Sequence, residues 1–108
     1  MDPATQAAEP VITDNPQESR FEIHLDGQRA GLAQYQLRGQ VLSLTHTEVD
    51  DKFQGLGLAG KLARTILDQA RERDLAVLPY CPYIRAWIAK HPEYTDLVPA
   101  ARRPEFGL

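Results

Sequence analysis

The sequence has a single cysteine, no long apolar run and no excess of positive charge. One cysteine excludes an intramolecular disulfide framework and suits a reducing compartment. No apolar run approaches the roughly 20 residues that span a bilayer, and the N-terminus lacks the basic and apolar regions of a signal peptide. With 12 basic and 15 acidic residues, the net charge of -3 disfavours a nucleic-acid surface. We therefore expect a cytoplasmic protein that binds neither membranes nor nucleic acid.

A length of 108 residues limits the chain to one small domain. Residues 1–19 are rich in proline and have no hydrophobic period, so they predict a flexible tail with at most a short extended piece at Pro10-Val11-Ile12. Residues 99–108 are interpreted in the same way, and Arg102 and Arg103 either contact a phosphate or are solvated. The folded domain is expected over residues 20–98.

Alternating patterns predict three strands joined by short turns. Arg20–Leu25 alternates apolar and polar residues, Asp26-Gly27 supplies a turn, and Gln28–Leu37 alternates again. The segment Arg38-Gly39-Gln40 supplies a second turn before the apolar, β-rich run Val41–Val49. Short turns join antiparallel strands, so these segments predict an antiparallel meander.

The glycine-rich stretch Gln54–Gly60 opens an amphipathic helix in which every fourth residue from Leu58 to Ala70 is apolar. A buried strand at Leu75–Leu78 follows and should pair in parallel through a βαβ crossover. A second helix is predicted over Tyr83–His91, because Pro82 suits a first helical position and the next proline ends the helix.

The glycines at the helix start are the main functional signal. The first turn of a helix has unpaired N–H groups and a partial positive charge, so it can bind a phosphate or pyrophosphate. The alternative is that Gly55 and Gly57 only form a tight turn. The spacing Gly55-x-Gly57-x-x-Gly60 also fits the dinucleotide fingerprint, but the next strand ends in Leu78-Pro79-Tyr80 and has no carboxylate there.

The predicted order β-β-β-α-β-α and the loop resemble the GNAT superfamily of acyl-CoA-dependent N-acetyltransferases. Gln54, Gly57 and Ala59 match the superfamily motif in order. A small stand-alone subgroup is also similar in four motifs in order, which are Thr47-Glu48-Val49, Gln54–Ala59, Pro79-Tyr80-Cys81-Pro82 and His91-Pro92-Glu93-Tyr94. The resemblance covers about residues 20–97.

The resemblance implies a minimal GNAT fold of class α+β, an α/β sandwich with a mixed, mostly antiparallel sheet that splays at the coenzyme A site. Pro79, which cannot donate to a ladder, stands where the splay is needed. It further implies that acetyl-CoA is the cosubstrate, that an amine is the acceptor and that no metal is involved. The implied coenzyme-binding residues are Val49, Gln54, Gly55, Leu56, Gly57, Leu58, Ala59, Gly60, Lys61, Cys81 and Tyr83. Lys61 either adds charge to the site or is simply solvated.

Two departures from the superfamily concern the acceptor and the general acid. No helices lie between the first two strands, so the acceptor surface is either open or supplied by a partner chain. Trp87 occupies the position at which the superfamily often has a tyrosine that protonates the leaving thiolate, and an indole cannot deliver a proton. Tyr83 or Tyr80 either substitutes for it or is a packed aromatic.

Three residues are candidates for catalysis. Glu48 ends the third strand and is either a general base or a surface carboxylate, and His46 lies on the same strand face. Cys81 lies at a helix N-terminus, where the dipole favours the thiolate, so it is either an acyl-accepting nucleophile or a buried structural cysteine. This short list leaves two functions open, an N-acetyltransferase and a non-catalytic module that binds coenzyme A or acyl-CoA.

Overall fold

The computed structural model describes residues 9–108 and has the class α+β. The elements are β1 (Val11–Asn15), β2 (Arg20–Leu25), β3 (Gln28–Arg38), β4 (Val41–Val49), α1 (Leu58–Glu72), β5 (Ala76–Pro79) and α2 (Pro82–Lys90). Short 3₁₀ helices lie at Asp51–Phe53, Pro92–Leu97 and Ala100–Phe106. Within this described part, no helix is both long and apolar enough to cross a bilayer.

One mixed sheet runs in the order β1-β2-β3-β4-β5. Strands β1 to β4 pair antiparallel, and β5 pairs parallel with β4. The β2–β3 turn contains Asp26 and Gly27 with φ of 54° and 75°, and Gly39 with φ of 58° lies in the β3–β4 turn. The structure therefore confirms the predicted meander, its turns and the parallel crossover.

The apolar stripe of α1 forms the centre of the core. Its buried residues are Leu58, Leu62, Ala63, Ile66, Leu67 and Ala70, and the helix packs on β2 to β5 and on α2. Burying one leucine contributes about 1.5–3 kcal/mol, so this face fixes the helix on the sheet. The first turn of α1 is thereby held next to the end of β4.

A β-bulge in β4 decides which of its side chains face the core. Leu44 pairs with Tyr35, but the next pair joins His46 to Gln34, so Thr45 is an extra residue. One extra residue reverses the side-chain alternation beyond it. Thr47 therefore shares the face of Leu44, whereas His46 projects from the opposite face.

The prediction of a flexible tail with a short extended piece at residues 10–12 was wrong for residues 13–15, because the extended structure covers all of Val11–Asn15. These residues form the edge strand β1, and the Tyr35 hydroxyl donates a 2.6 Å hydrogen bond to Asp14. Burial, together with this bond, raises the pKa of Tyr35 to about 12. An edge strand with three of its five residues exposed shows little hydrophobic period, which explains the miss. Residues 1–8 of the predicted tail lie outside the described residues.

The prediction of a flexible tail over residues 99–108 was also wrong. Ala100–Phe106 forms a 3₁₀ helix, and Phe106 is buried with its ring 5.3 Å from the ring of Tyr80. Arg102 donates to the Tyr80 hydroxyl at 3.0 Å and also pairs with Glu105. This segment was missed because one buried aromatic residue fixes it, without any periodic pattern.

Candidate functional site

The glycine loop is fixed to the end of β4 by hydrogen bonds that residues at the start of the loop donate. The side-chain amide of Gln54 donates to the carbonyl oxygen of Val49 at 2.8 Å, and the N–H of Asp50 donates to the Ala30 carbonyl at 2.7 Å. Gly55 and Gly57 have φ of 82° and 73°. In this left-handed region a side chain costs about 1–2 kcal/mol, so both positions favour glycine.

The first turn of α1 presents free backbone donors. Gly57 is the N-cap and provides no side chain, and the first N–H bonded within the helix is that of Lys61, which donates to Gly57 O at 3.2 Å. Among the described residues, the N–H groups of Leu58, Ala59 and Gly60 therefore have no hydrogen-bond partner. Three such donors and the helix dipole form an anion site of the kind that binds phosphate.

A groove of about 190 Å³ runs along this loop. Its lining residues are Val49, Phe53, Gln54, Gly55, Gly57, Leu58, Ala59, Gly60 and Tyr83. Eight of these nine belong to the coenzyme-binding set predicted from the sequence. Phe53 was not predicted to line the site. The sequence signal that could have identified it is that Phe53 is an aromatic residue in an otherwise charged loop. Leu56, Lys61 and Cys81 do not line the groove.

The sheet splits where the sequence predicts a splay. Pairing of β4 with β5 ends at Leu44 and Pro79, and the N–H of Cys81 then donates to the Leu44 carbonyl at 2.8 Å. Beyond this point β4 continues to Val49 without a β5 neighbour. The second half of β4 therefore has a free edge that leads to the glycine loop.

Tyr83 and Trp87 of α2 lie against the first turn of α1. A Cβ built on Gly60 would be 3.6 Å from Trp87 Nε1 and 3.7 Å from the Tyr83 hydroxyl, so glycine leaves room there. Tyr83 is 39% exposed. Burial of its phenol, and secondarily the charge of Cys81, raise the pKa of Tyr83 above its usual value. At neutral pH Tyr83 is a protonated donor at the wall of the groove.

The closing motif His91–Tyr94 clamps α2 and the following 3₁₀ helix to α1. The Tyr94 hydroxyl donates to Asp68 at 2.6 Å and accepts from Arg64 at 3.1 Å. The imidazole of His91 stacks on the indole of Trp87 at 3.7 Å, and the Arg64 guanidinium lies 5.2 Å from that indole ring. These contacts fix the ring of Trp87 next to Gly60 in the first turn of α1.

Cys81 is the N-cap of α2 and is only 3% exposed. Its thiol donates to the hydroxyl of Thr47 at 3.4 Å, a contact that the bulge in β4 makes possible. The thiol therefore lies between β4 and α2 where the sheet splits, behind the groove lining. Tyr80 turns toward the C-terminal segment and does not line the groove.

Glu48 and His46 lie on the other face of β4 from Thr47. They form an exposed pair 3.3 Å apart, with side chains 60% and 53% exposed, respectively. Glu48 lines a second hollow of about 390 Å³, together with Arg29, Ala30, Gly31, Leu32, Val49, Asp50 and Asp51. Val49 lines both this hollow and the groove, so the two adjoin. The structure does not bring Glu48 and Cys81 together.

This combination of a split mixed sheet and a glycine loop at a helix start defines an acyltransferase-type fold. Residues 20–97 match the family described as GCN5-related N-acetyl-transferase. The chain therefore belongs to the GCN5-related N-acetyltransferase family, and the resemblance seen in the sequence is confirmed.

The chain is also similar to sequence relatives, and it shares its fold with solved structures. The chain is 32% identical over 92 residues to mouse protein NATD1, covering 82% of this chain and 84% of that protein. It is 33% identical over 86 residues to human protein NATD1, in a match that covers 77% of this chain and 76% of that protein. A GCN5-like protein from Staphylococcus aureus shares the fold with a TM-score of 0.64 at 23% identity. The match covers 82% of this chain and 87% of that one. The ribosomal-protein-S18-alanine N-acetyltransferase of Escherichia coli gives a TM-score of 0.51 at 21% identity, covering 68% of this chain and 43% of that longer one.

Proposed function

We propose that this protein is an acetyl-CoA-dependent N-acetyltransferase that transfers an acetyl group to an amine. The observation that carries the proposal is the groove along the glycine loop, with the unpaired N–H groups of Leu58, Ala59 and Gly60 at one end. Three donors at a helix N-terminus suit the pyrophosphate of coenzyme A. The free edge of β4 gives the pantetheine arm backbone groups with which to form hydrogen bonds.

The chemical step requires a neutral amine, a polarised thioester carbonyl and a protonated leaving group. The amine nitrogen attacks the carbonyl carbon, its new bond forms, and the carbon–sulfur bond breaks to release the coenzyme A thiolate. We assign proton removal from the amine to Glu48, directly or through water, with His46 as its hydrogen-bonding neighbour. We assign to Tyr83 the proton that the thiolate takes up, because its hydroxyl is a donor and the residue lines the groove.

Cys81 is a candidate for one of two alternative roles, a nucleophile or a residue that supports the pocket wall. As a nucleophile, its thiolate would accept the acetyl group from the thioester, release the coenzyme A thiolate and pass the acetyl group to the amine. We propose direct transfer instead, because the thiol is buried and is bonded to Thr47. In that case Cys81 supports the pocket wall and forms no bond to the acetyl group.

A second candidate function is a non-catalytic module that binds coenzyme A or acyl-CoA. It is favoured by the scattered catalytic candidates, since Glu48 is exposed on one face of β4 and Cys81 is buried against the other. The first two strands, β1 and β2, follow each other in the chain with no helix between them, so no helices are present there to form an acceptor site.

Turnover distinguishes the two candidates. Purified protein is incubated with acetyl-CoA and a panel of small amines, peptides with free N-termini and lysine peptides, and release of free thiol is measured. Acetylated product formed at a rate proportional to enzyme concentration supports the transferase. Tight binding of acetyl-CoA without product from any amine class supports the binding module.

A further inference from the structure

The hollow that Glu48 lines has the size and position of a site for the amine acceptor. Its volume of about 390 Å³ lies in the range of small-molecule sites, about 300–1,000 Å³. Val49 lines both this hollow and the coenzyme groove, so an amine bound in the hollow is adjacent to the groove. We propose that the hollow selects an α-amine that stands next to an amide carbonyl, as at the N-terminus of a peptide, an inference that rests on the proposed function.

A β-bulge in β3 turns Arg29 out of the core. Arg29 pairs with His24, but the next residue of β2, Ile23, pairs with Gly31, so Ala30 is an extra residue. Without this extra residue, Arg29 would share the face of Gly31, because residues two apart in a strand point to the same side. With it, Arg29 shares the face of His24, opposite to that of the buried Ile23.

Arg29 and Glu48 point to the same side of the sheet. Glu48 pairs with Leu32, which in turn pairs with Glu22, and directly opposite residues share a face. Glu22 also shares its face with His24, two positions further along β2. The bulge in β4 turns Glu48 to this face just as the bulge in β3 turns Arg29. Bulges often lie next to active sites, where they redirect a side chain, and these two bring a guanidinium and a carboxylate to one hollow.

The charges around the hollow limit which acceptors fit it. One guanidinium, that of Arg29, and three carboxylates, those of Glu48, Asp50 and Asp51, belong to the lining. Arg29 nevertheless forms no salt bridge with any residue of the described range 9–108. An acceptor that carries a carboxylate is repelled by the acidic lining. A diamine is attracted by that lining but offers no hydrogen-bond acceptor to Arg29.

An α-amine next to an amide carbonyl satisfies both ends of the hollow. Its ammonium faces Glu48, and its neutral carbonyl oxygen accepts a hydrogen bond from the guanidinium of Arg29 without adding negative charge. The two groups are separated by a single carbon in the ligand. The hollow therefore recognises the start of a peptide or an amino-acid amide, and not an isolated alkyl amine.

The proton transfer favours the same class of amine. A peptide α-amine has a pKa of about 7.7–8.0, against about 10.4 for a lysine side chain, so at pH 7.5 about a third of the α-amine and about 0.1% of the lysine amine are neutral. The neutral nitrogen attacks the thioester carbon, the carbon–sulfur bond breaks to release the coenzyme A thiolate, and the proton that leaves the nitrogen goes to Glu48. Because the side chain of Glu48 is 60% exposed, it acts more easily on an amine that is already largely neutral.

Steady-state kinetics of the full chain with four acceptors, at saturating acetyl-CoA, tests the proposal. The acceptors are alaninamide, free alanine, 1,4-diaminobutane and Nα-acetyl-lysinamide, and each kcat/KM is measured across pH and expressed per neutral amine. This correction removes the differences in amine pKa and leaves those in binding. We expect alaninamide to exceed the other three by about tenfold or more, because each lacks a carbonyl beside the amine or adds a carboxylate.

Two variants of exposed arginines assign the contact to Arg29. Arg29→Met removes the donors and keeps the length of the side chain, so it should raise KM for alaninamide about tenfold with little change in kcat. The affinity for acetyl-CoA and the rate with 1,4-diaminobutane should stay the same. Arg38→Met is the matched control and should change none of these values, because Arg38 is exposed at the other end of β3 and also forms no salt bridge within residues 9–108.

The proposal is overturned if free alanine, 1,4-diaminobutane or the lysine amine is used as efficiently as alaninamide per neutral amine. It is also overturned if Arg29→Met leaves KM for alaninamide unchanged, or if it weakens acetyl-CoA, because Arg29 then does not hold the acceptor. In each of these cases turnover itself leaves the proposed function intact. Absence of turnover with every amine would instead overturn the proposed function, and this inference with it.

Discussion

The two halves of the candidate site differ in how completely the fold assembles them. The coenzyme half consists of one continuous segment, from the end of β4 to the first turn of α1, together with Tyr83 of α2, and eight predicted residues line a single groove there. The catalytic half is divided, because the bulge in β4 directs Thr47 toward Cys81 and leaves Glu48 exposed on the other face. Under the proposed function, binding would depend on backbone geometry and catalysis on separate side chains. Variants of the two halves should therefore have separable effects.

The largest effect is expected from Gly57→Glu. The carboxylate adds negative charge where the pyrophosphate binds, so several charge-assisted hydrogen bonds are lost and affinity for coenzyme A should fall at least ~100-fold. Gly39→Glu is the matched control, because both glycines have left-handed φ (73° and 58°) and no atom within 4 Å of a built Cβ. Both variants should lose about 1–2 kcal/mol of stability, and only the first should lose affinity. Unchanged affinity in folded Gly57→Glu protein, measured by calorimetry, would remove the loop from the site.

The next effect is expected from Glu48→Gln in the catalytic half. Loss of a general base should lower kcat about 100-fold while the affinity for acetyl-CoA stays the same. Asp51→Asn is the matched control, because Asp51 lines the same hollow and is also exposed. Steady-state kinetics across pH checks both variants. Equal small losses in the two variants would mean that Glu48 only contributes to the local charge.

A smaller effect is expected from Tyr83→Phe, which tests the one catalytic candidate that lines the groove. Loss of the proton donor should lower kcat about tenfold to 100-fold with little change in KM. Because the pKa of Tyr83 is raised above its usual value, its proton is retained to higher pH than in a free phenol, so deprotonation of Tyr83 should not lower the wild-type rate near neutral pH. Tyr80→Phe is the control, because that hydroxyl bonds to Arg102 outside the groove. If only Tyr80→Phe lowered the rate, the role of proton donor would belong to Tyr80 and not to Tyr83.

The smallest effect is expected from Cys81→Ala. If Cys81 only supports the pocket wall, kcat should fall less than about tenfold, which is under ~1.4 kcal/mol of barrier. Thr47→Val, which removes the hydroxyl acceptor but keeps the shape, should have a similarly small effect. Intact-mass spectrometry after incubation with acetyl-CoA and no amine should detect no acetylated protein. Accumulation of acetyl-Cys81 together with an inactive alanine variant would establish the two-step route instead.

The same contrast explains what could be predicted from the sequence. The helix bearing Leu58 and Leu62 has a strong apolar period and is bounded by glycine, so its location and the loop were predictable. The bulge at Thr45 leaves no compositional signal, so it was not predictable that Thr47 and not Glu48 would share the core-facing side of Leu44. The edge strand β1 was missed because its contacts are mainly backbone bonds and the Asp14–Tyr35 hydrogen bond.

The most direct test of the coenzyme site is an NMR titration of the 15N-labelled protein with coenzyme A. The proposed binding mode forms hydrogen bonds to the N–H groups of Leu58, Ala59 and Gly60, which have no partner in the described structure. We expect these three amides and their loop neighbours to show the largest chemical-shift changes, moving downfield on hydrogen bonding. The largest changes on the exposed face of β4 around His46, with the first turn of α1 unmoved, would contradict it.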